Sequence, residues 1–319
     1  MDSLGAIAEL INQNDDFLVA AHVSPDGDTL GSALALARAL ARLGKRAQAV
    51  CEDAVPHIYE FLPGAADMLR PGNARPARVA VAVDCADAQR LGSALPLFRA
   101  AEKTINIDHH ETNNAYADYN FVEKAGATGE HVLRLINLLG PEPDADMATC
   151  LYAAIMSDTG SFAYSSTTPD SLRAAAMLVE RGADPARINR RIYRTIPFGK
   201  QKLLGATLTG LALHENGRIG LACLSAADIA SCGALEEDTE GIIDHIRDVE
   251  GVEVAILIRE SAPGVFKVSL RSKHFADVGG IAASMGGGGH KRAAGYTVLG
   301  SMEEAASGAL TLAREALRA

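Results

Sequence analysis

The segment at residues 22–28, HVSPDGD, combines side chains that could bind metal ions with residues that favour a tight turn. It contains one imidazole, His22, and two carboxylates two residues apart, Asp26 and Asp28. One interpretation is structural, because Asp28 or Ser32 could cap the Ala/Leu-rich helix predicted after the turn. The other is chemical, because two carboxylates in one turn can be directed at two adjacent hard cations.

A run of three consecutive side chains that could bind metal, Asp108-His109-His110, follows a second apolar segment. Three such residues in a row are hard to explain by packing. Asp84 follows the apolar run VAVAV and Asp158 ends an apolar helical stretch, so either alone would be an ordinary turn residue. Taken together, the candidate metal ligands are His22, Asp26, Asp28, Asp84, His109 and Asp158.

This donor set indicates hard divalent cations. Oxygen and imidazole ligands without thiolate suit Mn²⁺, Mg²⁺ or Co²⁺ better than structural zinc. The five cysteines are scattered and include no CxxC pair, which also fits a reducing cytoplasm. Six side chains can hold two ions only if some carboxylates bridge them. Two ions roughly 3.5–4 Å apart form the clamp used for in-line displacement at phosphorus.

The apolar pattern predicts the elements that must position these side chains. Near-continuous apolar runs at residues 17–22, 47–51, 79–85 and 104–108 have the length of strands and alternate with helical patterns. Strands buried on both faces and separated by helices imply a parallel, doubly wound sheet. Ligands of such sheets lie outside the carboxyl ends of the strands, where the candidate metal ligands occur.

The predicted fold class is α/β with two domains. An N-terminal doubly wound parallel-sheet domain is expected at residues 1–185, and a helical connector with a charged face at 186–213. From residue 214 to residue 319 the pattern changes to strands with hairpin-like spacing and flanking helices. A smaller α/β domain is therefore expected there.

Composition excludes several classes of protein. With 48% hydrophobic and 22% charged residues, the 319-residue chain is not disordered, collagen-like or a coiled coil. Its net charge of -10 disfavours a protein that coats long nucleic acid. No apolar run reaches the roughly 18 residues of a membrane helix, and the start lacks a signal-peptide pattern. The expectation is a cytoplasmic protein without membrane contact.

A glycine-rich segment near the C-terminus, residues 286–289, could be a flexible loop. Its surroundings favour another interpretation, because residues 264–296 contain five cations and only one carboxylate, Asp277. The cations are Lys267, Arg271, Lys273, Lys291 and Arg292. Glycine amides beside a basic patch form an anion-binding nest, so this domain is predicted to bind phosphate. By contrast, Arg90 is predicted to be an ordinary helix-start residue and residues 236–238 a solvated acidic turn.

The segments HVSPDGDTLGS, VDCAD, DHH at 108–110 and IMSDTGSF resemble, in this order, the four motifs of the DHH phosphoesterase superfamily. The C-terminal segments SLRSK at 269–273 and GGGGHKRAAG at 286–295 look like a DHHA1 domain. The resemblance spans nearly the whole chain. It is closest to the branch of stand-alone oligoribonucleases (nanoRNases) and phosphoadenosine phosphate phosphatases.

The resemblance implies a role for each candidate residue. One ion would be held by His22, Asp26, Asp84 and Asp158, and the other by Asp28, Asp84, His109 and Asp158. Asp108 would support the site through its hydrogen bonds, and His110 would contact the phosphate or protonate the leaving oxygen. The substrate residues would be Arg271, Ser272, Gly287, Gly288, Gly289 and His290.

The implied activity is metal-dependent hydrolysis of short oligoribonucleotides, such as nanoRNA and pApA, and of 3'-phosphoadenosine 5'-phosphate. A hydroxide bridging two ions would attack phosphorus, and Mn²⁺ is the expected cofactor, with Mg²⁺ and Co²⁺ as alternatives. The enzyme would be a 3'-5' oligoribonuclease and a 3'(2'),5'-bisphosphate nucleotidase. The alternative is a cyclic di-AMP phosphodiesterase, and a more remote one is a non-catalytic nucleotide sensor. A homodimer is also left open.

Overall fold

The computed structural model describes residues 2–318, and the chain divides into two compact units, Met1–Thr195 and Ile196–Ala319. The boundary falls inside the predicted connector. A short helix at Pro185–Asn189 and a π-helical turn at Arg190–Arg194 belong to the first unit. The helix at Phe198–Thr209 belongs to the second. No helix within residues 2–318 is both long and apolar enough to cross a bilayer.

The first unit is built on a parallel sheet. Its strands are β1 Asp16–Ala20, β2 Arg46–Val50, β3 Val79–Val83, β4 Lys103–Asp108 and β5 Tyr119–Val122. Among the described residues they form one five-stranded sheet in the order β2-β1-β3-β4-β5, with every neighbouring pair parallel. The first four strands match the four predicted apolar runs. The edge strand β5 is not among those predictions, because YNFV has only two buried residues and no long apolar run.

Helices cover both faces of this sheet. They are α1 Leu4–Asn12, α2 Gly27–Arg42, α3 Leu95–Ala100, α4 Thr128–Leu139, α5 Ala145–Asp158, α6 Pro169–Glu180 and α7 Pro185–Asn189. Alternate strand residues face opposite cores: Phe17 and Val19 pack in the cluster with α2 and α5, whereas Leu18 and Ala20 pack in the cluster with Phe98 of α3. This arrangement confirms the predicted doubly wound sheet.

Helices α2 and α5 approach each other closely because glycine stands at their contact. A Cβ atom added to Gly31 would lie 2.3 Å from the Cys150 carbonyl oxygen of α5. Since no real side chain tolerates that distance, glycine is required at this position. The approach matters for the site because α2 begins beside Asp28 and α5 ends at Asp158.

The second unit is a smaller α/β domain with a mixed sheet. Its strands are β6 Ala212–His214, β7 Ile219–Leu224, β8 Val254–Ala262, β9 Val265–Ser272, β10 Gly288–His290 and β11 Ala293–Leu299. In the described part of the chain their order is β10-β11-β9-β8-β7-β6, and all pairs are antiparallel except β7 with β8. Its helices are α8 Phe198–Thr209, α9 Ala226–Ser231, α10 Ile242–Arg247, α11 Val278–Ser284 and α12 Met302–Ala316.

The two faces of this second sheet differ. Residues such as Ile256 and Leu270 pack against α11 and α12 over one face. On the other face, Ala255 and Leu257 of β8 pack against Leu203 of α8 and Ile243 of α10. The part of that face formed by β9, β11 and β10 carries residues that are at least partly exposed, among them Arg271, Lys267 and His290. This exposed part is called the open face below.

Candidate metal centre

His22 and Asp84 lie where two neighbouring strands end. His22 follows β1 and Asp84 follows β3, and Thr29 links the two strand ends. The His22 amide donates to Thr29 Oγ1 at 3.3 Å, and Thr29 Oγ1 donates to the Val83 carbonyl at 3.1 Å. Asp84 itself has a left-handed backbone, with φ of 56°, which turns the chain out of the sheet directly at the carboxylate.

Asp26 and Asp28 lie at the start of α2 and have different surroundings. Asp26 is the N-cap of α2, and its Oδ1 accepts from the amides of Asp28 and Thr29, each at 3.1 Å. The structural interpretation of this turn named Asp28 or Ser32 as the cap and is wrong on that point. Asp28 is fully buried and accepts instead from the first two amides of α4, Thr128 at 2.6 Å and Gly129 at 2.9 Å.

Three histidines surround the carboxylate of Asp84. His22 Nε2 lies 3.6 Å from Asp84 Oδ2, and His109 Nε2 lies 3.5 Å from Asp84 Oδ1. His110 Nδ1 lies 3.7 Å from the same Oδ1. The Thr128 hydroxyl donates to Asp84 Oδ1 at 3.0 Å and fixes the orientation of the carboxylate. Asp84 is therefore central to the cluster and 2% exposed.

Among residues 2–318, three overlapping groups have ligand atoms within 4.8 Å of one another. The groups are His22-Asp26-Asp84, Asp28-His109-Asp158 and Asp84-Asp108-His109-His110. His109 belongs to both the second and the third group, and its Nε2 lies 3.4 Å from Asp158 Oδ2. The fold thus brings all six candidate ligands together. Each of the two ligand sets implied by the motifs has three of its four members in one of the first two groups.

Both candidate imidazole ligands present Nε2 to the cluster. His22 Nδ1 donates to the Val23 carbonyl at 2.8 Å, and His109 Nδ1 donates to the Ala125 carbonyl at 3.1 Å. A proton on Nδ1 leaves a lone pair on Nε2, which is the atom that faces the carboxylates. Backbone acceptors of this kind are what orient metal-binding histidines in proteins.

The electrostatics of the cluster fit bound cations. Burial, and after it the charges of Asp84, Asp158 and Asp26, raise the pKa of Asp28 well above its usual range. Burial also raises the pKa of Asp158, to about 6. Burial opposes ionisation of Asp84 too, but the hydrogen bond and charge of His22 and the charge of His109 lower its pKa. Crowded carboxylates repel one another unless positive charge lies between them, so this donor set suits divalent ions.

Asp108 and His110 form a pair beside the ligand cluster. Asp108 is fully buried, and its Oδ1 accepts from His110 Nδ1 at 2.8 Å. Asn113 donates to the other carboxylate oxygen at 2.6 Å and so holds Asp108 in place. The hydrogen bond with Asp108 raises the pKa of His110 to about 9. The pair can therefore keep a protonated imidazole, 30% exposed at its side chain, next to the cluster at neutral pH.

Two further residues contact the cluster and were not predicted to do so. Arg90 Nη2 lies 3.0 Å from His22 Nδ1. Residues 88–94 fold back and so bring Arg90 to this position, where its carbonyl accepts from the Val23 amide at 2.7 Å. Thr128 contacts both Asp28 and Asp84. The sequence gives a weak signal for Arg90, a cation six residues after Asp84, and none for an uncharged threonine at a helix start.

The predicted substrate residues lie in the second unit, and they do not all lie on the same face of its sheet. Strand register puts His290, Ala293 and Arg271 opposite one another on β10, β11 and β9, so the small Ala293 separates two basic side chains on the open face. Ser272 alternates to the opposite face. It is 4% exposed, and its hydroxyl has no hydrogen-bond partner among residues 2–318.

Two of the glycines at 287–289, Gly287 and Gly289, are required by close strand packing, whereas a Cβ at Gly288 would meet open space. A Cβ on Gly287 would lie 2.2 Å from the Gly295 carbonyl oxygen, and one on Gly289 would lie 2.5 Å from that of Ala293. Gly288 and Gly289 belong to β10, which pairs with β11. The interpretation as a flexible loop is therefore wrong for these residues, which form a paired strand.

Crowding of carboxylates predicts that the metal-free protein is less stable at alkaline pH. The raised pKa of Asp158 means that its carboxyl favours the folded state below about pH 4 and loses that contribution as the pH rises through about 6. Asp158→Asn should therefore raise the melting temperature of the chelator-treated protein at pH 8, by about 2–4 °C if partial exposure limits the gain to about 1 kcal/mol. Little change is expected at pH 4.5.

Thermal melts at both pH values, with and without Mn²⁺, check this prediction. The control is Asp170→Asn, which alters a carboxylate that is 81% exposed at its side chain and paired with Arg173. Manganese should remove the advantage of the Asp158 variant, because a bound cation supplies the missing positive charge. An equal gain at both pH values would contradict the electrostatic explanation.

Comparisons with known proteins agree with this architecture. The model of the DHH family N-terminal domain matches residues 16–155, and that of the DHHA1 domain matches residues 229–319. The chain is 37% identical over 303 residues to the bifunctional oligoribonuclease and PAP phosphatase NrnA of Thermus thermophilus, covering 94% of this chain and 89% of that protein. The Bacillus subtilis protein of the same name is 22% identical, over 90% of this chain and 91% of that protein.

A solved structure is also similar over nearly the whole chain. An exopolyphosphatase-related protein from Bacteroides fragilis matches with a TM-score of 0.92 and 26% identity, covering 98% of this chain and 95% of that chain. The domain matches, the related sequences and the clustered motif residues all agree. The chain belongs to the DHH/DHHA1 superfamily of phosphoesterases.

Proposed function

We propose that this phosphoesterase hydrolyses short oligoribonucleotides, such as pApA, and 3'-phosphoadenosine 5'-phosphate. The observation that carries the proposal is the convergence of the six candidate ligands and the Asp108–His110 pair at the carboxyl ends of β1, β3 and β4. The 37% identity to an oligoribonuclease and PAP phosphatase supports the choice of substrate. The proposed direction of degradation is 3' to 5'.

The cluster would hold two divalent ions, which we propose to be Mn²⁺. His22 and Asp26 would bind one ion and Asp28 and His109 the other, while Asp84 and Asp158 would be shared. When bound, such ions neutralise the charge that develops on the phosphoryl oxygens and lower the pKa of a bound water. The carboxylates contribute by holding their charges in a buried site, where no reorganisation is needed during the reaction.

His110 would move the proton that the leaving oxygen needs. Its Nδ1 is engaged by Asp108, so Nε2 is the atom from which a proton can be passed. Asp108 stabilises the protonated imidazole and fixes its orientation through Asn113. Arg90, which lies beside His22, adds a fixed positive charge at the edge of the same cluster.

The second domain would bind a phosphate remote from the reacting one. Arg271 is one-third exposed at its side chain, and its Nε lies 3.8 Å from Asp244 Oδ1. Its Nη1 donates to the Leu270 carbonyl at 3.1 Å, which uses one of the five N–H groups of the guanidinium. His290 lies two strands away on the same row of the open face. A phosphate between these basic groups would be held by charged hydrogen bonds.

The effect of Arg271→Ala on kcat/KM should therefore depend on the substrate. A charged hydrogen bond to phosphate contributes roughly 1.5–3 kcal/mol, so Arg271→Ala should lower kcat/KM for a dinucleotide by about 10- to 150-fold. Hydrolysis of bis-p-nitrophenyl phosphate, which has no second phosphate, should change little. Arg314→Ala, on α12 behind the opposite face of the sheet, is the control for loss of one positive charge. Equal losses on both substrates would mean that Arg271 supports the fold instead.

Steady-state kinetics on four substrates test the proposed function. The substrates are pApA, a five-nucleotide RNA, 3'-phosphoadenosine 5'-phosphate and cyclic di-AMP, each with Mn²⁺ and with chelator. The proposal expects the highest kcat/KM on the linear dinucleotide or the bisphosphate. From a 5'-labelled pentamer it expects labelled products that shorten one nucleotide at a time from the 3' end. A preference for cyclic di-AMP would make the chain a cyclic dinucleotide phosphodiesterase. No metal-dependent hydrolysis of any of them would leave the non-catalytic sensor.

A further inference from the structure

Two cations face each other on neighbouring strands of the second domain. The register of β8 and β9 places Arg259 directly opposite Lys267, so both side chains lie on the same face of the sheet as Arg271. Side chains that are directly opposite have Cβ atoms about 4.5–5.5 Å apart, and like charges in that position repel. Such a pair needs an anion between its members.

The anion in this structure is the carboxylate of Glu236. Its Oε1 lies 3.2 Å from Arg259 Nη1 and 3.3 Å from Lys267 Nζ, so one oxygen serves both cations. Glu236 opens the acidic turn Glu236–Thr239, and Thr239 accepts a further hydrogen bond from Arg259 at 2.9 Å. Glu236 and Glu237 are exposed, as predicted for a solvated turn, whereas Asp238 is buried. The Glu236 side chain is 56% exposed and is also paired with two basic groups.

A cavity of about 260 Å³ is lined by Arg259 of this pair and by Arg271. Its lining consists of these two cations, three acidic residues, Glu236, Glu237 and Glu240, and uncharged residues, among them Ser269. Both cations can therefore be reached from the cavity, where Glu236 and two further acidic residues compete with an incoming anion.

The spacing along β9 fits a chain of phosphates. Arg271, Ser269 and Lys267 are alternate residues and project from the same face. At about 3.4 Å per residue, neighbouring members of this set are about 7 Å apart, and Lys267 is about 14 Å from Arg271. Strand β9 thus presents two cations with a hydroxyl midway between them. This spacing suits an extended oligoribonucleotide, which carries one phosphate per nucleotide.

We propose that Arg259 and Lys267 form a second anion subsite, which binds a more distant phosphodiester of an oligoribonucleotide, and that Glu236 occupies this subsite as an internal competitor. The inference rests on the proposed function, which supplies the oligoribonucleotide. Ion pairs between partly exposed side chains contribute little, so a phosphate can displace the Glu236 carboxylate at small cost. The subsite therefore adds to the binding of substrates long enough to reach Lys267, without setting which substrate is hydrolysed fastest.

Binding by labelled oligoribonucleotides of two and four nucleotides tests the subsite. Fluorescence anisotropy in chelator measures Kd without hydrolysis, and the informative quantity is the ratio of the two affinities in each variant. Lys267→Ala should weaken tetranucleotide binding relative to dinucleotide binding by roughly tenfold. It should also lower the slope of log K against log salt for the tetranucleotide by about 0.7, the value for one phosphate contact in a single strand.

Glu236→Gln should have the opposite effect and strengthen tetranucleotide binding by about two- to fivefold, because the competing charge is lost. The matched controls, Arg314→Ala and Glu215→Gln, alter an ion pair of 2.8 Å between α12 and the turn before β7, and should leave the ratio unchanged. An unchanged ratio in Lys267→Ala, or weaker binding in Glu236→Gln, would overturn the subsite while wild-type hydrolysis continues. Failure of the wild-type protein to hydrolyse any oligoribonucleotide would overturn the proposed function itself.

Discussion

Replacement of Asp84 by asparagine is expected to lower kcat/KM for a short oligoribonucleotide by more than about 10³-fold. The loss of a single electrostatic stabiliser already costs about 10²- to 10³-fold in many enzymes, and Asp84 serves both proposed ions. Its carboxylate lies between His22 on one side and His109 on the other, at 3.6 and 3.5 Å. The same neighbours lower its pKa, so the group is charged across the working pH range. Asparagine keeps the shape and removes that charge.

Metal stoichiometry separates this effect from a general loss of structure. Equilibrium dialysis with Mn²⁺ should give about two ions for the wild type and a severe loss at both positions in Asp84→Asn. Asp28→Asn is the comparator and should lose mainly one ion, because Asp28 belongs to only one of the three overlapping groups whereas Asp84 belongs to two. Two tightly bound ions in a folded Asp84→Asn protein would contradict a bridging role.

Replacement of His110 by glutamine is expected to lower kcat by about 10²-fold while metal content stays near the wild-type value. The physical reason is the hydrogen bond from Asp108, which raises the pKa of His110 to about 9 and keeps the ring protonated at neutral pH. Because the pKa is raised above the ordinary value near 6.5, the protonated form is complete at low pH and disappears as the pH rises through about 9. Wild-type kcat should fall over that interval, and the fall should be absent in the variant.

The leaving group provides the decisive comparison for His110. A p-nitrophenyl ester of a nucleotide has a leaving oxygen that needs no proton, so a general acid contributes little to its hydrolysis. His110→Gln should therefore lose far less activity on this ester than on a dinucleotide. Equal losses on both substrates, or a variant that is isolated without metal, would place His110 among the ligands instead.

The sequence was sufficient to predict that the six candidate ligands lie close together, because each lies at the end or the start of a recognisable element. The runs before His22, Asp84 and Asp108 are buried strands, and parallel strands end at the same edge of a sheet. Helix α5 was equally clear, and its close contact with α2 brings Asp158 to that edge. Strand β5 was missed because its residues are only partly buried and carry no apolar run.

The other features of the site depend on three-dimensional contacts that leave no periodic pattern in the sequence. The fold-back of residues 88–94, which brings Arg90 to His22, involves a glycine with φ of 55°, Gly92, within an irregular turn. The face to which Ser272 points follows from strand register, and register could not be assigned before the β9 boundaries were known. The role of Glu236 follows from an ion pair across 31 residues, whereas the run of acids around it indicates only a solvated turn.

Anomalous diffraction at the manganese edge tests the central claim most directly, because it locates the ions among the six side chains without assuming an activity. Crystals grown or soaked with Mn²⁺ should show two peaks roughly 3.5–4 Å apart, with Asp84 and Asp158 in contact with both ions. His22 and Asp26 should contact one ion only, and Asp28 and His109 the other. A single peak, or peaks that lie away from these six side chains, would contradict a two-ion centre at the ends of β1, β3 and β4.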